Sequence, residues 1–122
     1  MEERIRRCLE SRNVKGDDLL NALDTVEDIL SKDGAVTEEG YAILYHATSI
    51  QNYKAILVEK LMYGKEDGIF FSTKKDGEIL GYGSEVLEVR IPVERLILDD
   101  EFDNELHYKI KVKPYQKVKI DC

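Results

Sequence analysis

The hydrophobic pattern divides the chain into a helical first third and a strand-rich remainder. Before residue 40, apolar positions recur at the i, i+3, i+4 spacing of an amphipathic helix, first at Ile5, Cys8 and Leu9. A second run keeps this spacing: Leu19, Leu20, Leu23, Val26, Ile29 and Leu30. Asp17 is placed to cap this second helix, and Gly34 to end it. The pattern therefore predicts an N-terminal helical pair whose apolar stripe packs on the rest of the protein.

From Tyr41 onward the pattern is mostly that of β-strands. An apolar run at 42–46 is followed by Thr48 or Ser49 as the cap of a third helix. This helix ends near Lys60 and turns Ala55, Ile56 and Leu57 inward. Residues 68–73 predict the next strand, entered through a turn at 65–68, and a short helix is expected at 75–81. Further strand candidates are 86–92, 96–98, 106–112 and 117–120. Many short strands with few helices between them predict antiparallel sheets, in a sandwich or a partly opened barrel.

The length of 122 residues suits one domain with a core of modest size. We expect residues 1–40 to form a helical segment packed on a core domain of residues 41–122. Cys8 and Cys122 lie near opposite ends of the chain, lack the spacing of metal ligands, and are too few for a disulfide scaffold. The sequence therefore predicts no metal site and a reduced, cytoplasmic protein.

The net charge of −7 works against general binding to nucleic acid or to an anionic membrane, because phosphate groups repel such a surface. No stretch approaches the roughly 20 apolar residues of a membrane helix. The charged residues 1–10 lack the apolar core of a signal peptide. Lysines at 109, 111, 113, 117 and 119 are interpreted as the solvated face of two strands, with a pyrophosphate or target contact as the alternative.

Three places put polar or aromatic groups where a simple core does not need them. They are residues 45–48, at the end of a predicted strand; residues 70–73 together with Tyr82; and residues 103–105, directly before the strand 106–112. Taken singly, each has an ordinary structural explanation. These are a half-buried histidine, one of two adjacent phenylalanines in the core, and a carboxylate in an exposed acidic loop.

Taken in order, the three places resemble the ADP-ribosyltransferase superfamily, in the branch that contains diphtheria toxin and the poly(ADP-ribose) polymerases. That branch has a histidine on one strand, two aromatic residues eleven positions apart, and a glutamate at the start of a later strand. Here His46 lies in Leu-Tyr-His-Ala-Thr, Phe71 and Tyr82 are eleven positions apart, and Glu105 lies in Asn-Glu-Leu-His-Tyr. Residues 114–120 resemble the family's last strand. The resemblance covers about residues 41–121.

The resemblance implies an α+β fold, namely a split antiparallel β-sandwich of ADP-ribosyltransferase type, with the N-terminal helical pair outside the shared part. It implies a mono-ADP-ribosyltransferase that uses NAD as its substrate, with Glu105 and His46 as catalytic residues. The NAD-binding residues are then His46, Ala47, Thr48, Phe71, Ser72 and Tyr82. The expected target is a protein, with a nucleic acid left open, and small stand-alone transferases of this type suit a bacterial, phage or effector (toxin-like) setting.

The roles implied for these residues agree with the chemistry of NAD. Breaking the nicotinamide–ribose bond passes through an oxocarbenium-like sugar cation, which Glu105 would stabilise. His46 would donate a hydrogen bond to a ribose hydroxyl, and Phe71 and Tyr82 would sandwich the nicotinamide ring. The backbone of Ala47 would meet the carboxamide, and Thr48 would reach toward the adenosine half.

Two positions depart from the family pattern. Ala47 replaces the glycine that follows the histidine, and Phe71 lacks the hydroxyl of the usual first tyrosine. The arginine-directed branch of the superfamily would show an arginine in place of His46 and an acid or amide at the position of Asp103. The RNA 2′-phosphotransferases share a histidine motif but handle phosphate with several arginines, and most arginines of this chain lie near its N-terminus.

Two other classes of function are compatible with these residues. The first is a non-catalytic module that keeps the fold and uses the cleft or the helical pair for binding, which the departures at Ala47 and Phe71 favour. The second is a structural or inhibitory partner protein that acts through its acidic surface. Convergence of His46, Tyr82 and Glu105 on one cleft is the observation that separates the enzyme from both.

Overall fold

The structure, a computed structural model, describes residues 2–59, 61–63, 68–110 and 117–119. Three α-helices are α1 (Glu2–Ser11), α2 (Asp17–Ser31) and α3 (Ile50–Glu59). Two short 3-10 helices cover Glu78–Gly81 and Val93–Arg95. The strands are β1 (Ala35–Val36), β2 (Tyr41–Thr48), β3 (Leu61–Tyr63), β4 (Ile69–Ser72), β5 (Glu85–Pro92), β6 (Ile97–Glu101), β7 (Leu106–Ile110) and β8 (Lys117–Lys119).

Every strand pair in the described part of the chain is antiparallel, which confirms the α+β class and the antiparallel sheets. Six strands form one sheet along the path β1-β2-β4-β7-β6, with β5 added on β2. The strands β3 and β8 form a separate pair. The long partner of β2 is β5, since the two pair from Tyr41↔Pro92 to Thr48↔Glu85. The opposite edge of β2 is shared, because β1 pairs with its first residues and β4 meets it only at Tyr45↔Ser72.

The helical pair is joined to the sheet by one hydrophobic core. Ile5 and Leu9 of α1 and Ile29 of α2 are completely buried in the same cluster as Leu44 and Ile110 of the sheet. Burying each such side chain contributes roughly 1.5–3 kcal/mol, so the N-terminal helices are integral to stability. The expected boundary at residue 40 falls inside the hairpin that connects β1 and β2.

That hairpin is fixed by Arg12, which follows α1. Its guanidinium donates two 2.8 Å hydrogen bonds to the Glu94 carboxylate and further bonds to the carbonyl oxygens of Glu39 and Gly40. It also lies over the Tyr41 ring, 4.9 Å from the centroid. Gly40 has a φ of 83°, in the left-handed region where glycine is favoured. Burial raises the pKa of Glu94, but the hydrogen bonds from Arg12, a backbone hydrogen bond and the charges of Arg12 and Arg95 together outweigh burial and lower the pKa overall.

Several predictions about the helices are confirmed and others are wrong in detail. The Ser49 hydroxyl accepts the Asn52 amide and caps α3, as expected. Asp17 is the first residue of α2 and not its cap, because Gly16 holds that position without a side-chain bond. Leu20 and Leu30 are exposed although they keep the helical period. Ala55 and Leu57 are also exposed, so α3 buries only Ile56.

The strand predictions are close for the longer elements. The helix expected at 75–81 is a 3-10 helix at Glu78–Gly81, and the strand expected at 96–98 extends from Ile97 to Glu101. The short strands β1 and β3 are not predicted by the pattern. Residues 65–67 of the turn expected at 65–68 lie outside the described residues, as do residues 111–116, Lys60, Ile120 and Cys122.

None of the helices within the described ranges combines the length and the apolar character needed to cross a bilayer. The same ranges contain no group of three or more metal-ligating side chains, and Cys8 carries a free, half-buried thiol.

Candidate functional site

A cleft of about 720 Å³ opens where β2 and β4 separate. These strands share the single pair Tyr45↔Ser72, whereas β2 stays paired with β5 as far as Thr48. We call this divergence the β2–β4 fork. The last residues of β2 and the first residues of β4 line the cleft, together with the first turn of α3. Its volume lies within the roughly 300–1,000 Å³ of small-molecule and cofactor sites.

His46 stands at the fork, where the ladder between β2 and β4 stops. Its Nδ1–H donates to the carbonyl oxygen of Phe70 over 2.8 Å, so an imidazole satisfies a carbonyl in place of the next ladder bond. The ring also packs against Phe71 at a centroid distance of 5.6 Å and a tilt of 54°. With Nδ1 as the donor, the neutral ring has Nε2 as an acceptor. Donation to a ribose hydroxyl, as expected above, therefore requires the charged imidazolium.

The aromatic residues of the cleft differ in exposure. Phe71 is 1% exposed and forms part of the cleft floor, whereas Tyr82 is 75% exposed after the first 3-10 helix. Phe70, the neighbour of Phe71 on β4, also lines the cleft and is 40% exposed. The structure therefore brings Phe71 and Tyr82 to one cleft, with one ring fixed in the core and the other free to adjust to a flat ligand.

The junction between β2 and α3 supplies the small and polar part of the wall. Ala47, Thr48, Ser49 and Asn52 all line the cleft. Gly83 packs directly against the backbone of Thr48, since a Cβ at Gly83 would lie only 2.5–2.6 Å from the Thr48 backbone atoms. The cleft wall is therefore fixed here by backbone packing as well as by the β2–β5 ladder.

Two residues expected in the NAD site do not line the cleft. Ser72 is completely buried, and its hydroxyl accepts the Lys74 amide at 3.1 Å. Glu105 is 2% exposed, and its Oε1 accepts from the Glu78 amide at 3.0 Å. A carboxylate bound in this way is held in place, but it does not contact a ligand in the cleft directly.

The residue that reaches the cleft from β7 is His107, which sequence reasoning missed. Its Nε2 lies 2.9 Å from Oε1 of Glu105, and its ring packs against Phe102 at 4.8 Å. A signal was available: Glu105 and His107 are two positions apart at the start of a strand, and such residues share one face. Because Glu105 is buried and His107 lines the cleft, the carboxylate lies behind the imidazole.

The charges around the cleft are acidic. Glu59 and Asp99 line it, and no lysine or arginine does so in the part of the chain that the structure describes. The two histidines of the whole chain, His46 and His107, both line the cleft. Their convergence from β2 and β7 gives the cleft two imidazoles, whose ring nitrogens can donate or accept hydrogen bonds.

No protein-family model matches the chain, no curated protein matches it, and no solved structure matches it.

Proposed function

We propose that the cleft binds NAD and that the protein is a mono-ADP-ribosyltransferase acting on a macromolecular target. The observation that carries this proposal is the convergence of His46, Phe71 and Tyr82 on one cleft of suitable volume. Glu105, which was expected to converge with them, does not line this cleft. These residues come from three separate segments, and they are the ones that the resemblance assigns to the nicotinamide–ribose half of NAD. In this proposal the divergence of β2 from β4 is the split of an ADP-ribosyltransferase-type sandwich.

The nicotinamide end of NAD fits the deep part of the cleft. A flat ring placed against Phe71 and covered by Tyr82 gains about 0.5–1.5 kcal/mol from each stacking contact beyond the buried area. Ala47 presents backbone groups to the carboxamide. His46, anchored on the Phe70 carbonyl, fixes the adjoining ribose. Fixing the sugar matters because orientation alone supplies up to roughly 7–11 kcal/mol in ideal cases.

The remainder of NAD extends toward α3 in this proposal. Ser49, which caps that helix, and Asn52 in its first turn line the cleft, close to the amide groups and the positive end of the helix dipole. These groups offset the absence of a cationic side chain among the described lining residues. Thr48 lies between the two halves and is placed to contact the second ribose.

The proposed target is a protein. With a net charge of −7, the molecule repels the phosphate backbone of a nucleic acid, although a nucleic-acid end presented to the cleft is a second acceptor to test. The proposed setting is the cytoplasm, where a free thiol such as that of Cys8 stays reduced.

Nicotinamide release tests the proposal. The wild-type protein is incubated with NAD labelled in the nicotinamide ring, alone and with a cell extract as the source of acceptors, and released nicotinamide and labelled protein are measured. Tyr82→Ala is expected to weaken NAD binding at least tenfold, whereas the matched control Tyr45→Phe, next to His46 but outside the cleft, is expected to change nothing. Absence of both NAD binding and nicotinamide release in the wild type contradicts the proposal.

The second candidate is a non-catalytic NAD- or nucleotide-binding module with the same cleft. The position of Glu105 favours it, because this carboxylate is buried, bound by two partners and withdrawn from the cleft wall. Both candidates bind NAD, and only the release of nicotinamide separates them. A binding module gains thermal stability with NAD, by about 2.7 kcal/mol at a concentration one hundred times the Kd, and releases no nicotinamide.

A further inference from the structure

The contact between His107 and Glu105 has the arrangement of a catalytic dyad. Glu105 accepts the Glu78 amide and the His107 ring through the same oxygen, at 3.0 and 2.9 Å. The His107 and Glu105 side chains are 11% and 3% exposed, and Gly77 leaves no space for a side chain beside the carboxylate. The orientation of the imidazole is therefore set by a buried acceptor that has little freedom to move.

This contact also selects the tautomer of His107. A carboxylate only accepts hydrogen bonds, so the proton of a neutral His107 ring resides on Nε2 and the lone pair on Nδ1. Phe102 packs against the ring and limits its rotation. The basic nitrogen Nδ1 therefore belongs to a ring that lines the cleft, while the carboxylate bound to Nε2 is buried.

Resting on the proposed function, we propose that His107 is the general base of ADP-ribosyl transfer, that Glu105 is its positioning residue, and that the acceptor is a hydroxyl group. In this step the bond between ribose C1′ and the nicotinamide nitrogen breaks, and its electron pair leaves with neutral nicotinamide. The acceptor oxygen forms the new bond to C1′, and its proton passes to His107. The imidazolium next to Glu105 then returns the proton to solvent.

The choice of a hydroxyl follows from the base. A carboxylate acceptor has no proton to lose and would gain nothing from His107. An arginine guanidinium holds its protons too tightly for an imidazole to remove one. A hydroxyl is neutral and becomes acidic only as it attacks, which is when a positioned base acts. A serine, threonine or tyrosine side chain and a water molecule share this chemistry.

The two hydroxyl sources are separated by the product. Wild-type protein with NAD alone reports transfer to water as free ADP-ribose. Addition of peptides that differ only in a central serine, glutamate or arginine reports transfer to a side chain. We expect modification of the serine peptide or formation of ADP-ribose. Modification confined to the glutamate or arginine peptide overturns the proposal.

The dyad is tested with His107→Gln and Glu105→Gln, and with Asp103→Asn as a matched control for loss of an exposed carboxylate in the same loop. His107→Gln is expected to keep the NAD affinity within about threefold and to slow nicotinamide release by roughly 10²–10⁴-fold, the usual contribution of a general base. Glu105→Gln is expected to keep the affinity and to slow release less. Imidazole added to His107→Ala should restore part of the rate, which a purely structural role for His107 would not allow.

Nitrogen-15 NMR of the free wild-type protein provides a readout that needs neither turnover nor a folded variant. The His107 ring is expected as the Nε2–H tautomer in the wild-type protein. A predominant Nδ1–H tautomer overturns the dyad. Full activity in His107→Gln overturns this proposal and leaves the proposed function standing, whereas a wild type that neither binds nor cleaves NAD overturns both.

Discussion

The Nδ1–H of His46 donates to the carbonyl oxygen of Phe70 over 2.8 Å, at the point where β2 and β4 cease to pair. A carbonyl at the end of a broken ladder otherwise needs water or another donor. The imidazole fills this need while it packs against Phe71. His46 therefore has a structural role at the β2–β4 fork in addition to the binding role proposed for it.

Replacing His46 by phenylalanine separates these two roles. The new ring keeps the packing against Phe71 but loses the donor to Phe70, so we expect a loss of about 1 kcal/mol in the free energy of unfolding. Urea denaturation measures this loss. NAD affinity should fall by at least tenfold in the same variant. Tyr45→Phe is the control, and an unchanged stability in His46→Phe would show that the contact with Phe70 contributes nothing.

Truncation of the two aromatic side chains of the cleft is expected to change the stability of the fold by very different amounts. Phe71→Ala removes a buried ring and should destabilise the protein by about 3–5 kcal/mol. Tyr82→Ala removes a ring that is 75% exposed and should change stability by no more than about 0.5 kcal/mol. Thermal unfolding measures both. A large destabilisation by Tyr82→Ala would mean that this ring supports the fold and is not poised for a ligand.

The contact of Arg12 with Glu94 predicts a dependence of stability on pH. The pKa of Glu94 is lower in the folded protein, so its contribution to stability is present above the unfolded value near 4.5 and is lost as the pH falls through the folded value. Glu94→Gln should cost about 1.5–3 kcal/mol at pH 7, because it removes charged hydrogen bonds to Arg12. The difference between wild type and variant should shrink below pH 4.5. Denaturation at pH 7 and pH 3.5 measures it, and a constant difference argues against this linkage.

Gly83 is expected to control the cleft wall at Thr48. Alanine at this position places a methyl group 2.5–2.6 Å from backbone atoms of Thr48, which cannot move without opening the β2–β5 ladder. We expect a destabilisation of about 1–3 kcal/mol and weaker NAD binding. Gly81→Ala is the matched control, since nothing lies within 4 Å of its Cβ position. Equal stability of the two variants would contradict the packing described here.

The longer elements could be predicted from sequence because their periodicity is strong. Buried residues recur at the helical spacing in α1 and α2. In the second half of β5, buried and exposed residues alternate, as expected of a strand with one buried face. The strands β1 and β3 have only two and three residues, too few to show a period. Leu20 and Leu30 fit the helical period but are exposed, because the buried stripe of α2 is narrower than its apolar face.

The candidate site likewise contains residues that local sequence indicates and residues that only tertiary contacts determine. His46, Thr48 and Tyr82, which local sequence singled out, line one cleft, and each lies at the end of an element. Local sequence could not assign Glu105, because burial of that carboxylate depends on contacts with the distant Glu78 amide and Gly77. Tertiary packing therefore decides which of the residues at the start of β7 reaches the cleft.

The most direct test of the account uses the fact that the chain contains only two histidines and that both line the cleft. The imidazole region of a proton–nitrogen NMR spectrum then contains the signals of His46 and His107 alone. Titration with NAD is predicted to shift both sets of signals in a saturable way with one common Kd, and Tyr82→Ala should weaken that Kd. If both sets stay unchanged at millimolar NAD, the cleft does not bind NAD and the central claim is wrong.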